Sequence, residues 1–136
     1  MSDEERRRRN RELVERSFAA VGRGDVSGQL EYCTEDMVLE LPYADPPVRL
    51  EGKEAIRAHV GPALETFSFR LDIHRVIECA DPDTLVLEYT SEGRVVPTGR
   101  AYANSYIGVV QFRDGVICHQ REYYNPVVAA RALRPD

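Results

Sequence analysis

The stretch Val116-Ile117-Cys118-His119-Gln120-Arg121-Glu122-Tyr123-Tyr124 is preceded by Arg113-Asp114-Gly115 and stopped by Asn125-Pro126. Its β-branched and aromatic residues read as a strand, the Asp-Gly as the turn of a hairpin, and the Asn-Pro as the N-cap and first position of a helix. Side chains two apart share a strand face. Plain alternation therefore sets Cys118, Gln120, Glu122 and Tyr124 on one side and Ile117, His119, Arg121 and Tyr123 on the other. Glu122 becomes a candidate acid on the inner face of a sheet, where burial would raise its pKa and let it exchange protons near neutral pH. The plainer alternative is a glutamate on the solvent face, paired with Arg121 or Arg113.

Working outward, residues 102–112 form the hairpin partner and should present Asn104, Tyr106, Gly108 and Val110 on the face of Glu122, with Gly108 leaving room for a ligand. The run 84–92 adds Tyr89 through the alternating set Leu85, Leu87, Tyr89 and Ser91, and Phe67, Phe69, Leu71 and Ile73 alternate in a further strand. Upstream, Leu13, Val14, Ser17, Phe18 and Val21 recur at helical spacing, so residues 4–22 read as an amphipathic helix stopped by Gly22 and Gly24. A short helix over 26–33, a strand over 37–41 and the proline-rich loop 42–47 follow. A third helix opens at Gly52, carries His59 beside its apolar stripe, and kinks or ends at Gly61-Pro62. Helices first and antiparallel strands afterwards describe one α+β domain over 1–136, with the helices packed on one face of a curved sheet. Ser105, Ile107, Val109, Ile117 and Tyr123 alternate along the outer face, an apolar strip that predicts a homodimer.

With 136 residues and 43% hydrophobic content, the chain buries about two thirds of its unfolded surface. A formal charge of −5 argues against nucleic acid as a partner, because such binding needs a net positive surface to displace counterions. The basic run Arg6 to Arg9 and Arg11 is interleaved with Glu4, Glu5, Glu12 and Glu15, as on a solvated helix face. No window reaches the ~18 apolar residues of a membrane span, so no membrane partner is expected. Cys33, Cys79 and Cys118 are odd in number and lack CxxC spacing, and the start Met-Ser-Asp-Glu-Glu has no apolar leader, which points to a reducing cytoplasm. The three histidines form no HExxH and lie on different elements, so a metal site is not expected. Seven tyrosines and no tryptophan suit a pocket for a flat, partly polar ring. The candidate contacts are Tyr43, Tyr89, Tyr106 and Tyr124 with Asn104, although core filling explains the tyrosines nearly as well.

This order resembles the nuclear-transport-factor-2-like superfamily over almost the whole chain, and within it the SnoaL-like and phenazine-biosynthesis A/B-type proteins. The residues that carry the resemblance are Gly52-Lys53-Glu54-Ala55-Ile56-Arg57-Ala58-His59, the run 76–95, and Arg121-Glu122-Tyr123-Tyr124-Asn125-Pro126 with Arg131-Ala132-Leu133. The resemblance implies a cone-shaped curved antiparallel sheet with the N-terminal helices packed over its concave face. It also implies a cofactor-independent catalyst that uses a His and a Glu facing one cavity to assist an imine-forming condensation of a small cyclic amino-ketone acid, with the Glu at Glu122 and the His at His59. A carboxylic acid and an imidazole can protonate a leaving hydroxyl and remove a proton from an amine in turn, without metal or cofactor. Ketosteroid isomerases are similar in Leu41-Pro42 and the strand ending at Phe112, but Leu41 and Gly108 stand where their catalytic aspartates would lie. Of the Asp-Arg-Asp set of limonene epoxide hydrolases only Glu122 has a counterpart. A non-catalytic binding or protective protein, and a structural dimer module with a filled cavity, are the rival readings.

Overall fold

The computed structural model describes residues 1–135. Helix α1 (Asp3–Gly22) starts where the Ser2 hydroxyl accepts the Glu5 amide at 3.1 Å, satisfying one of the orphan donors of the first turn. Helix α2 (Val26–Leu30) is capped by the Asp25 carboxylate. Strands β1 (Cys33–Leu41) and β2 (Val48–Glu51) precede helix α3 (Lys53–Thr66). Strands β3 (Phe67–Glu78), β4 (Thr84–Val95), β5 (Ala101–Arg113) and β6 (Val116–Tyr124) follow, and helix α4 (Pro126–Ala132) closes the order. The six strands form one curved, unclosed sheet in the order β2-β1-β6-β5-β4-β3. All neighbours are antiparallel except β1 and β6, which run parallel and bring the first strand beside the last. The expected α+β cone with its helices over the sheet is the observed architecture. Its core joins Val14, Phe18, Leu30, Met37 and Ile56 from the N-terminal half to Leu85, Leu87, Val110, Phe112 and Ile117 of the sheet.

Local chemistry explains most boundaries. Asp114 (φ 53°) and Gly115 (φ 82°) both sit in the left-handed region, the backbone of a two-residue hairpin turn that matches the twist of β5 and β6. Asn125 caps α4 by accepting from the Val127 amide at 3.0 Å and the Val128 amide at 3.4 Å, with Pro126 at the first turn. Gly93 lies where β3 crosses β4 too closely for any side chain. A Cβ there would stand 2.0 Å from the Ser68 carbonyl oxygen and 2.5 Å from the Phe69 Cα. The sheet curls at this point and carries Phe67 and Phe69 over the Tyr102 ring, at 4.8 and 6.2 Å between centroids.

Several expectations are corrected. The predicted second helix stops at Leu30, and β1 begins already at Cys33. The proline-rich loop returns as β2, antiparallel to β1, a strand of four residues too short to show a period. Helix α3 runs through Pro62 to Thr66, because the Ala58 carbonyl that loses its donor belongs to an exposed residue that water can reach. The basic run of α1 is more than a solvated face. Arg7 donates to the Cys79 carbonyl at 2.9 Å, Asn10 to the Asp83 carboxylate at 3.1 Å, and Arg6 pairs with Asp83 at 3.6 Å, which fastens α1 to the β3–β4 turn.

The most consequential correction concerns β6. Gln111 pairs with His119 but Phe112 pairs with Ile117, so Cys118 is an extra residue, a β-bulge. Ile117 therefore faces the core, 1% exposed, and not the outer strip in which alternation placed it. Cys118 leaves the inner face, its thiol set against the Gln111 carbonyl. What remains of the outer strip is Ser105, Ile107, Val109 and Tyr123.

Candidate active site

A cavity of about 290 Å³ lies between the concave face of the sheet and the helices. Its volume is at the lower end for small-molecule sites. Phe18 and Val21 of α1, Val60, Ala63 and Leu64 of α3, and Leu39 of β1 form much of its apolar wall. The turn of α3 beyond Pro62 supplies two of these, so the helix that the sequence reading shortened is long because the cavity wall needs it. Glu122, Gln120 and Tyr124 enter from β6, Tyr102 and Tyr106 from β5, Gln29 from α2, and His59 from α3.

Beyond the Cys118 bulge alternation resumes, and Gln120, Glu122 and Tyr124 all reach the cavity, as the inner-face reading of Glu122 requires. Glu122 lies deep in the protein with its remaining exposure on the cavity wall, and burial pushes its pKa up. The Tyr89 hydroxyl donates to Glu122 Oε1 and pulls the other way. The other carboxylate oxygen has no hydrogen-bond partner among the described residues. Tyr89 itself does not line the cavity. It is 2% exposed, stacked at 4.9 Å on Tyr106 and set edge-on at 4.8 Å to Phe18. Burial, reinforced by the neighbouring carboxylate, raises its pKa and keeps its proton available as a donor.

Gly108, opposite Glu122 in the β5–β6 ladder, has a role other than the one expected. A Cβ there would meet Tyr89 Cε1 and the Tyr89 hydroxyl, each at 3.2 Å. The missing side chain makes room for the phenol that reaches Glu122, not for a ligand.

The remaining candidates divide. Tyr106 and Tyr124 line the cavity, and burial raises both phenol pKa values. His59 is on the wall at an exposed position, and among the described residues no hydrogen bond joins it to Glu122. Asn104 is not on this wall. Its amide donates to the Tyr102 hydroxyl at 2.9 Å and the Asn125 carbonyl at 3.0 Å, while its oxygen accepts the Ser105 amide at 2.9 Å and the Asn125 amide at 3.2 Å. Every hydrogen-bonding position is thereby used, and the residue ties β5 to the cap of α4. Tyr43 is also elsewhere. It is 57% exposed in the loop after β1 and sits edge-on at 5.1 Å to Tyr123, which points outward from β6.

Three polar wall residues were not among the expected contacts: Gln29, Gln120 and Tyr102. Gln29 is 7% exposed, and its Oε1 has no hydrogen-bond partner among the described residues. In a five-residue helix no period singles it out. Gln120 shares the strand face of Glu122, and alternation alone gives it no more than that position. Tyr102 is the link between Asn104 and Tyr106, its hydroxyl 3.1 Å from that of Tyr106, which in turn meets Ser91 Oγ at 2.7 Å. A polar file thus runs behind the wall from Ser91 to Asn125.

Two further observations bear on chemistry. Among the described residues no three His, Cys, Asp or Glu side chains gather as a metal-ligand group, and no helix is long and apolar enough to cross a membrane.

Comparison with known proteins fits this architecture. An uncharacterised PhzA/B-like protein of Pseudomonas aeruginosa is 34% identical over 125 residues, covering 90% of this chain and 89% of the relative. The uncharacterised YesE protein of Bacillus subtilis is 34% identical over 127 residues, with 90% and 85% coverage. The crystal structure of a phenazine biosynthesis-related protein from P. aeruginosa superimposes with a TM-score of 0.79 at 26% identity, covering 98% of this chain and 92% of that one. The SnoaL-like domain profile matches residues 14–120, and the chain belongs to the SnoaL-like family.

Proposed function

We propose that this chain is a cofactor-independent enzyme of secondary metabolism that moves protons on a small cyclic carbonyl compound, in a condensation, cyclisation or isomerisation. The observation that carries the reading is Glu122: a carboxyl group raised in pKa by burial, held through one oxygen by Tyr89, with the other free toward a mostly apolar cavity. A general acid/base needs a pKa drawn toward the working pH and a fixed orientation, and burial and the phenol supply one each. In this reading His59 assists from the opposite wall, and its exposed position suits exchange of the proton with solvent. The family relationship, and relatives named for phenazine biosynthesis, support chemistry on small rings. Three free cysteines are in keeping with a reducing cytoplasm as the place of action.

The reading is tested without knowing the natural substrate. Cyclic ketones and enones are incubated with the protein in D₂O, and exchange of the protons next to the carbonyl is followed by NMR. Positioned proton transfer contributes ~10²–10⁴ in rate, so Glu122→Gln should lower catalysed exchange by that factor with the fold intact. His59→Asn should cost as much if the imidazole is the partner base, and less if it only orients substrate. Catalysed exchange undiminished in Glu122→Gln, or no catalysis by the wild type on any ring ketone, would favour a non-catalytic ligand-binding role.

A further inference from the structure

The cavity wall says something about charge that the proton-transfer reading does not. Among the described residues no lysine or arginine lines it, and the His59 imidazole on its wall stands at an exposed position. Tyr106 is engaged with Ser91 and Tyr102, and Tyr102 with Asn104, which leaves the Tyr124 hydroxyl and the Gln120 amide as neutral donors and no cation to offset a ligand's negative charge. The charge that faces the space is the Glu122 carboxylate, one oxygen of which has no hydrogen-bond partner among the described residues. An unpaired buried acceptor is costly, and a ligand that brings a donor removes that cost.

Resting on the same site as the proposed function, we infer that the cavity takes a small, largely hydrocarbon ring compound that presents a hydroxyl or a protonated nitrogen to Glu122 and carries no carboxylate or phosphate. An anion in this space would lose its water, gain no cation, and lie within a few ångströms of the Glu122 carboxylate. At that separation and an effective dielectric constant of about 20, the like-charge repulsion alone weakens binding by roughly 100-fold or more. A cationic nitrogen meets the opposite sign of the same interaction, and a hydroxyl avoids it while still donating.

Three probes of one shape test this at pH 7.5: 2-naphthylmethylamine, 2-naphthalenemethanol and 2-naphthoate, titrated by naphthyl fluorescence, which no tryptophan of the protein obscures. The wild type should bind the amine and the alcohol at least ~100-fold more tightly than the naphthoate. Their chemical-shift changes should include the side-chain amides of Gln29 and Gln120. Glu122→Gln should weaken the amine ~10–100-fold, leave the alcohol within about threefold, and tighten the naphthoate. Naphthoate binding as strong as that of the alcohol, no binding of amine or alcohol below millimolar concentration, or shifts confined to the outer face of the sheet would each overturn the inference. None of these readouts involves turnover. Loss of the charge preference would leave the acid/base reading standing, and full activity of Glu122→Gln would remove that reading while leaving the preference intact.

Discussion

Tyr89→Phe removes one oxygen and little else: the ring keeps its stack on Tyr106 and its edge contact with Phe18. What disappears is the donor to Glu122 Oε1. A hydrogen bond to a charged group contributes about 1.5–3 kcal/mol, and this one favours the ionised carboxylate, so the Glu122 pKa should rise further in the variant. The sign for stability follows from the folded pKa already lying above the unfolded one. Below the unfolded pKa, where Glu122 is protonated in both states, the protein has the full benefit of burying a neutral acid. That benefit is lost as pH rises through the folded pKa. In Tyr89→Phe the losing window extends to higher pH and the loss deepens by up to about 1.5–3 kcal/mol, so the two proteins should differ little at pH 4 and most at pH 8. Urea denaturation at the two pH values measures the divergence, and carboxyl-carbon NMR of Glu122 follows the titration itself. A variant equally destabilised at both pH values, with an unmoved Glu122 titration, would show that the phenol only fills space.

Two other outcomes are expected. Gly93→Ala should lose at least about 2 kcal/mol in urea denaturation, since the new methyl meets the backbone of Ser68 and Phe69 rather than a side chain that could turn away; a change under about 0.5 kcal/mol would contradict the close crossing of β3 and β4. A homodimer through the outer face is proposed on the shorter strip of Ile107, 40% exposed, with Val109 and Tyr123. Sedimentation at micromolar concentration should give twice the 15.4 kDa chain mass and Ile107→Lys should shift it toward monomer, whereas a wild-type monomer would refute the proposal.

Features set by neighbouring residues were legible before the fold was known. Asn125-Pro126 caps a helix because cap and helix are adjacent in the chain, and Asp114-Gly115 turns a hairpin because two left-handed positions are needed side by side. Features set by register were not. The Cys118 bulge exists only relative to Gln111 and Phe112, and a second register shift in β3 next to His74 exists only relative to β4. For the same reason Glu122 and Tyr106 could be assigned to one wall through the hairpin. Asn104 shares that strand phase, but the approach of Asn125 occupies its amide. Tyr43 belonged to a loop with no phase to read. The partnership of Tyr89 with Glu122 spans three strands through a glycine, and no spacing along the chain expresses it.

The bulge at Cys118 also separates two lengths that a regular hairpin would couple. Ile117 and Gln120 both point inward although two residues stand between them, so removing Cys118 would leave plain alternation with Ile117, Gln120, Glu122 and Tyr124 still facing in. The hairpin tip can therefore gain or lose one residue without rotating the wall below it. A single residue inserted after Gln120 has no such outlet, and would swing Glu122 to the outer face and bring Arg121 in. Seen as a target of insertion and deletion, β6 is a strand of two halves, a tolerant one above the bulge and an intolerant one below, and the boundary between them is one cysteine.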